Sequence, residues 1–281
     1  MSSYLDEILA SHRARAAKDG RDLEAIAQLA QAHLDAQLAS TQLREAKGVS
    51  AALRPFSESL LRAGSPAIIA EVKRRSPSKG ALDLDLDPAS VAADYERGGA
   101  ACLSVLTDGP HFGGSPEDLA AARSATALPV LRKDFTVCAA DVYDARIMGA
   151  DAVLLIVAAL SDAELATFLA VACRLKLDAL VEVHDLDEAE RALGAGAQLI
   201  GVNQRDLRTF EVDSARAVRV AACLPPGIVK VAESGIRSRD DVARLGDAGY
   251  DAVLVGELLV RSGDRVESVR ALRAPVDEVL A

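Results

Sequence analysis

The stretch IMGADAVLLIV, residues 147–157, decides the fold. Gly149 punctuates what precedes it, and Ala152 to Val157 then run apolar without the in–out alternation of a half-exposed strand. An unbroken run of this kind marks a strand buried on both faces, as in a parallel sheet covered by helices. The same pattern returns in RGGAACLSVL (97–106), LGAGAQLIGV (193–202) and DAGYDAVLVG (247–256). A spacing of roughly 50 residues is too long for one βα unit and fits two. A second strand series lies between these: PAIIAEVK (66–73), LPVLRKDF (128–135), LDALVEVHD (177–185) and PGIVKVAESG (226–235). Helix-start signals fill the gaps. They are Pro116 with Glu117 and Asp118 after Ser115, a Ser161-x-x-Glu164 capping box, Asp185 before LDEAERAL, and Ser238 before RDDVARLGDAG.

Eight short buried strands alternating with helices define an α/β chain whose expected form is a (β/α)8 TIM barrel, with a doubly wound open sheet as the alternative. The first 60 or so residues are rich in Ala, Leu and charged residues at helical spacing, with Gly48 and Pro55 as breakers. The expectation is a single domain: a helical extension over 1–60, the barrel over 61–270 and a tail over 271–281.

The 281 residues are 50% hydrophobic, enough for a substantial core, and the formal net charge is −10. With a pI near 5.0 and no basic stripe beyond Lys73, Arg74, Arg75 and Lys79, nucleic acid is not an expected partner. Cys102, Cys138, Cys173 and Cys223 show no C-x-x-C spacing, and the four histidines form no zinc-like pattern among themselves or with the cysteines, so neither disulfides nor a metal is expected. MSSYLDEILASHRARAAKDG carries charge where a signal peptide needs its apolar stretch, and no run is long enough to span a bilayer. The expectation is a cytoplasmic protein with no membrane partner.

In barrels of this kind active sites lie at the C-terminal ends of the strands, so polar residues there carry information that helix residues do not. Glu71 and Lys73 stand two apart in the first strand and share a face. Buried charge is costly unless paired or solvated, so they signal either a polar cavity or a structural pair at a strand end. Later strands end in Thr107, Asp108 and Phe112; Lys133, Asp134 and Phe135; Glu182 and His184; Asn203 and Arg205; Glu233, Ser234 and Gly235; and Gly256 and Glu257. Glu182 has only apolar neighbours in sequence and needs a cation from across the barrel. Gly235 and Gly256 close the last two strands, where backbone N–H groups often bind phosphate, although a glycine after a strand is commonly just a turn. Phe112 and Phe135 either pack under loops or wall an apolar slot for a planar ring.

IIAEVKRRSPSKG, PVLRKDF, LVEVHD, IGVNQRDLRTFEVD and VAESGI, in this order and spacing, resemble the motifs of the indole-3-glycerol-phosphate synthase family from about residue 55 to 260. The resemblance implies a (β/α)8 barrel with an N-terminal helical extension. It also implies a cofactor-free lyase of tryptophan biosynthesis that closes 1-(2-carboxyphenylamino)-1-deoxyribulose 5-phosphate to an indole with loss of CO2 and water. By resemblance Lys133 is the general acid, Lys73 holds the aromatic carboxylate and serves as a second proton donor, Glu182 acts in dehydration, and Glu71 and Asn203 orient the reacting groups. Ser76, Ser78, Phe112, Phe135, Arg205, Glu233 and Ser234 then contact substrate, and Gly235, Ile236, Gly256 and Glu257 cradle its phosphate. Association with other tryptophan enzymes stays open. A free lysine titrates near 10.4, so a proton donor gains from a lowered pKa; with Glu71 beside Lys73, Lys133 is the expected isolated lysine and acid. Cys138, Ala139, Ala140 and Val260 depart from the family pattern at positions that bear on packing only. An isomerase-like phosphate barrel would want a Cys–Asp or Asp–Asp pair instead, and a non-catalytic barrel would not need every acid and base position filled.

Overall fold

The computed structural model describes residues 4–45, 53–64, 66–206 and 209–273. Its strands are β1 (Ala67–Val72), β2 (Arg75–Ser76), β3 (Gly80–Ala81), β4 (Cys102–Leu106), β5 (Val130–Lys133), β6 (Ala152–Ile156), β7 (Asp178–Val183), β8 (Leu199–Asn203), β9 (Val229–Glu233) and β10 (Ala252–Val255). Strand β1 pairs in parallel with both β4 and β10, so the eight long strands close into a barrel in sequence order, and the open-sheet alternative falls away. All eight runs identified from sequence are strands of this barrel. The short antiparallel pair β2–β3 is an addition that the polar KRRSPSKG segment did not suggest.

Outside the barrel lie α4 (Pro88–Gly98), α5 (Gly109–Phe112), α6 (Pro116–Ala125), α7 (Ala139–Ile147), α8 (Asp162–Arg174), α9 (Leu186–Gly194), α10 (Arg216–Ala221), α11 (Arg239–Asp247), α12 (Glu257–Val260) and α13 (Arg265–Arg273). The caps read from sequence are those formed. Ser115, Ser161, Asp185 and Ser238 each accept a hydrogen bond from the backbone N–H three residues on, satisfying donors that have no partner inside the helix. Helix α8 shows how the layers adhere: Leu165, Phe168, Val171 and Ala172 are buried on one stripe against the sheet. Burial of Leu165 or Phe168 contributes roughly 1.5–3 kcal/mol each.

Before the barrel come α1 (Tyr4–Ala17), α2 (Leu23–Glu45) and α3 (Phe56–Arg62). Pro55, expected as a breaker, stands at the N-cap of α3, where its fixed φ and missing N–H cost nothing. Helix α3 lies against the N-terminal ends of the strands. The Ser57 N–H donates to Asp178 Oδ2 at 2.9 Å, the Phe56 carbonyl accepts from Cys102 Sγ at 3.6 Å, and Phe56 and Leu60 are fully buried. Helix α1 lies at the opposite end. Gly48 and residues 274–281 of the expected tail fall outside the described residues, as do Leu207 and Arg208 of the NQRDLRTF motif. Among the described residues no helix is long and apolar enough to cross a membrane.

Candidate active site

The last residues of β5, β8 and β9 are Lys133, Asn203 and Glu233, and Glu71 and Glu182 each stand one residue from the end of β1 and β7. All five therefore reach the C-terminal mouth of the barrel, where they line a cavity of about 1050 Å³. Lys73, Ser76, Ser78, Phe112, Phe135, Arg205, Ser234, Gly235, Ile236, Gly256 and Glu257 stand in the same wall, so the residues that the resemblance assigned to the site are brought to one place, whereas Thr107, Asp108 and His184, also read at strand ends, do not line it.

At its centre is a cation shared by two anions. Lys133 Nζ donates to Glu182 Oε2 at 2.8 Å and to Glu233 Oε2 at 2.9 Å, which is the cross-barrel partner that Glu182 required. The expectation of an isolated Lys133 with a lowered pKa is thereby corrected. Burial works to lower it, but the charges of Glu182, Glu233 and the more distant Glu71 outweigh burial and hold the ammonium above its ordinary value. The two carboxyls part company although they share one partner. Burial pushes both up, but Glu182 also has the Lys133 and His184 charges and the Asn203 amide at 3.1 Å, and it ends well below the ordinary carboxylate range. Glu233 has Lys133 alone, faces the charge of Glu182, leaves its buried Oε1 without a hydrogen bond, and ends well above that range.

A second pair lies toward β1, where Lys73 Nζ is bonded to Glu71 Oε2, with Lys73 partly open to the cavity and Glu71 buried. The tip of the Glu71 carboxylate occupies the space a side chain on Gly256 would fill, so Gly256 makes room for this pair as well as lining the cavity. Gly201, inside β8 and not singled out in the sequence, has the same relation to Glu233: a Cβ there would collide with Glu233 Oε1. A glycine inside an otherwise branched strand was the available signal.

Beyond β9 the chain passes through two left-handed residues, Ser234 (φ 65°) and Gly235 (φ 75°). A Cβ on Gly235 would lie 2.6 Å from Val212 Cγ1, so glycine is required by conformation and by space. Arg237 and Arg261 line the cavity near this turn and add positive charge that the sequence reading did not assign. The partly exposed Glu257 carboxylate turns toward Lys79 and Arg261, each 3.9 Å away. Across the mouth the rings of Phe112 and Phe135 have centroids 6.2 Å apart, inclined at 39°. Stacking a planar ring between two others needs about 7 Å, twice an ordinary carbon–carbon contact. These rings meet each other as they stand.

Helix α1 supplies part of the wall that the sequence treated as a mere extension. Tyr4, Leu5 and Ile8 line the cavity, and Leu5, Ile8 and His12 form one buried face, a spacing of three and four that was legible in the sequence. Arg13 fixes the helix to the barrel through Glu164 Oε1 and the Ala159 carbonyl, at 2.9 and 2.8 Å. His12, Asp108 and His111 converge beneath it, a grouping hidden by their separation in sequence. Arg15 donates to His12 Nδ1 at 2.8 Å, so Nε2 carries the proton and faces Asp108 Oδ1 at 3.6 Å, while Asp108 Oδ2 is engaged with His111 at 2.9 Å. With a donor and not a lone pair turned toward Asp108, His12 presents the wrong atom for a metal, which would need the Nε2 lone pair. His12 and His111 together hold Asp108 below the ordinary carboxylate range despite its burial.

A closed (β/α)8 barrel with a lysine–carboxylate cluster lining a cavity at its C-terminal mouth is an architecture that enzymes use, and the likeness to known proteins specifies which. A family profile described as "Indole-3-glycerol phosphate synthase" matches residues 23–272. The indole-3-glycerol phosphate synthase of Micrococcus luteus is 55% identical over 207 residues, covering 74% of this chain and 77% of that protein. That of Desulfosudis oleivorans is 48% identical over 234 residues, covering 82% and 89%. A thiamine phosphate pyrophosphorylase structure from Pyrococcus furiosus superposes with a TM-score of 0.57 at 17% identity, over 76% of this chain and 96% of that one, a likeness of fold alone. The chain belongs to the indole-3-glycerol phosphate synthase family, lyases of tryptophan biosynthesis that decarboxylate and close a ring.

Proposed function

We propose that this cavity converts 1-(2-carboxyphenylamino)-1-deoxy-D-ribulose 5-phosphate to indole-3-glycerol phosphate, CO2 and water by general acid–base catalysis, in the cytoplasm and without metal or cofactor. The observation that carries the reading is Lys133, a buried ammonium bound by Glu182 and Glu233 inside the cavity and facing the separate Lys73–Glu71 pair.

Lys73 attracts the carboxylate of the aromatic ring and is available to donate a proton later; Phe112 and Phe135 part to admit the ring itself. Arg205, Ser76, Ser78 and Ser234 bear on the chain's hydroxyls. Backbone N–H groups at Gly235, Ile236, Gly256 and Glu257 receive the phosphate, with Arg237 and Arg261 adding charge. The ring carbon bearing the carboxylate attacks the ribulose carbonyl, and Lys133 delivers a proton to the carbonyl oxygen. An ammonium held by two carboxylates is a weak acid, but the oxygen becomes alkoxide-like as the new bond forms, and its proton affinity then exceeds that of the amine. This assigns proton transfer to the transition state, where it lowers the barrier. CO2 leaves with its bonding electrons returning to the aromatic ring. The new hydroxyl departs as water with a donated proton, and loss of a proton from the adjacent CH2 completes the indole. Glu182, kept ionised, acts in this dehydration, while Glu71 and Asn203 hold the groups around it.

Incubating the purified chain with the carboxyphenylamino-deoxyribulose phosphate tests the reading. Indole fluorescence should rise with one CO2 released per product, and its absence with folded protein would refute it.

A further inference from the structure

At the end of β7 the ring of His184 stands between two carboxylates. Nδ1 is 3.0 Å from Glu188 Oε2 on α9, an oxygen that also accepts from the His184 backbone N–H at 2.8 Å. On the other side Nε2 is 3.6 Å from Glu182 Oε1 and makes no hydrogen bond, and only 12% of the side chain is exposed. A carboxylate accepts and does not donate. A neutral imidazole has one N–H, so with Nδ1–H given to Glu188 it would aim the Nε2 lone pair at the Glu182 anion. The imidazolium alone presents N–H to both sides.

The charged groups around the ring are Glu182 on β7, Glu188 on α9 and Arg216 on α10. Burial and Arg216 oppose protonation, yet the Glu188 hydrogen bond and the two carboxylate charges outweigh them and raise the His184 pKa above its ordinary 6.5.

This ring distinguishes the two carboxyls that share Lys133. Two carboxylates on one ammonium do not ionise independently, and the one with more support keeps its charge. Glu182 has Asn203 and His184 in addition to Lys133; Glu233 Oε1 is buried with no partner. We propose that His184 is a positioning residue: its imidazolium, anchored by Glu188, keeps Glu182 the ionised member of the pair around Lys133 and leaves the proton on Glu233. The proposal rests on the reading of Lys133 and Glu182 as working groups. In the reaction it means that Glu182 enters as a base, and that Glu233 can return a proton to Lys133 once the lysine has given its own away.

Carbon-13 NMR of the glutamate side-chain carboxyls, with nitrogen-15 NMR of the histidines, reads both protonation states in the free protein and so remains decisive if the activity reading fails. At pH 6 the parent should show carboxylate at Glu182 and carboxylic acid at Glu233, and at pH 6.5 His184 should be more than half imidazolium. In His184→Gln the Glu182 signal should titrate at least one pH unit higher, and the acid limb of the kcat profile should move up by the same amount, with KM little changed. Glu188→Gln, whose imidazole loses its anchor but still protonates in acid, should lower the His184 nitrogen-15 titration while moving the Glu182 titration less than His184→Gln does. A His184 mostly neutral in the parent at pH 6.5, or unchanged Glu182 titration in a folded His184→Gln, would overturn the proposal. So would a His184 titration unmoved in a folded Glu188→Gln.

Discussion

Replacing Lys133 with methionine keeps the aliphatic stem and removes the charge between Glu182 and Glu233. Both carboxyls are buried, at 1% and 2% exposure, so neither has water to replace the lost partner. Removing one member of a buried ion pair commonly costs about 3–5 kcal/mol. At a few degrees per kcal/mol for a domain of this size, that is a fall of roughly 6–20 °C in Tm. The loss has a pH signature whose sign follows from the two carboxyls. Glu233 is already raised in the native protein, so its stabilising contribution is present below the ordinary carboxylate pKa and lost as pH rises through its folded value. Glu182 is lowered against its burial chiefly by Lys133, with His184 and Asn203 adding to it. Without the lysine both move up, and the native variant retains protons that the unfolded chain gives away. Its deficit should therefore be smallest near pH 5 and grow toward pH 8, by up to about 1.4 kcal/mol per pH unit for each proton retained. Urea unfolding of parent and variant at pH 5, 6.5 and 8 measures this. A deficit under 1 kcal/mol that is equal at all three would refute the coupled cluster.

Gly201→Ala adds one methyl to a strand position with no conformational objection to it, yet that methyl collides with Glu233 Oε1. We expect kcat to fall at least tenfold, with a fall in Tm smaller than that of Lys133→Met because Lys133 keeps Glu182; undiminished kcat would show that Glu233 can leave Lys133 without consequence. Gly235→Val meets both the left-handed φ and Val212, and it should raise KM far more than it lowers kcat while weakening competition by inorganic phosphate in parallel. An unchanged KM would move the phosphate elsewhere.

The barrel was legible because its signals are local. Each strand announces itself by an unbroken run such as Ala152–Ile156, and each cap by a residue three before its partner, as in Ser161 and Glu164. The site was legible in membership, since the barrel geometry turns "end of strand" into "wall of the cavity". Its electrostatics were not, because they depend on distances between residues far apart in the chain. Lys133 looked isolated beside Asp134 and Phe135, yet its partners lie 49 and 100 positions away. The same holds for His12 under Asp108 and for Gly201 under Glu233. The place of α1 over the mouth is a tertiary choice, although its buried face at Leu5, Ile8 and His12 shows in the helical spacing.

The most direct test of the assignment compares steady-state kinetics of Lys133→Ala and Lys73→Ala, each assayed well below its own Tm. Loss of a positioned acid lowers kcat by about 10²-fold or more and leaves KM nearly alone, whereas loss of a carboxylate-binding cation raises KM. Under this assignment Lys133→Ala shows the first pattern and Lys73→Ala the second. Near-full kcat in Lys133→Ala, together with its abolition in Lys73→Ala, would contradict it.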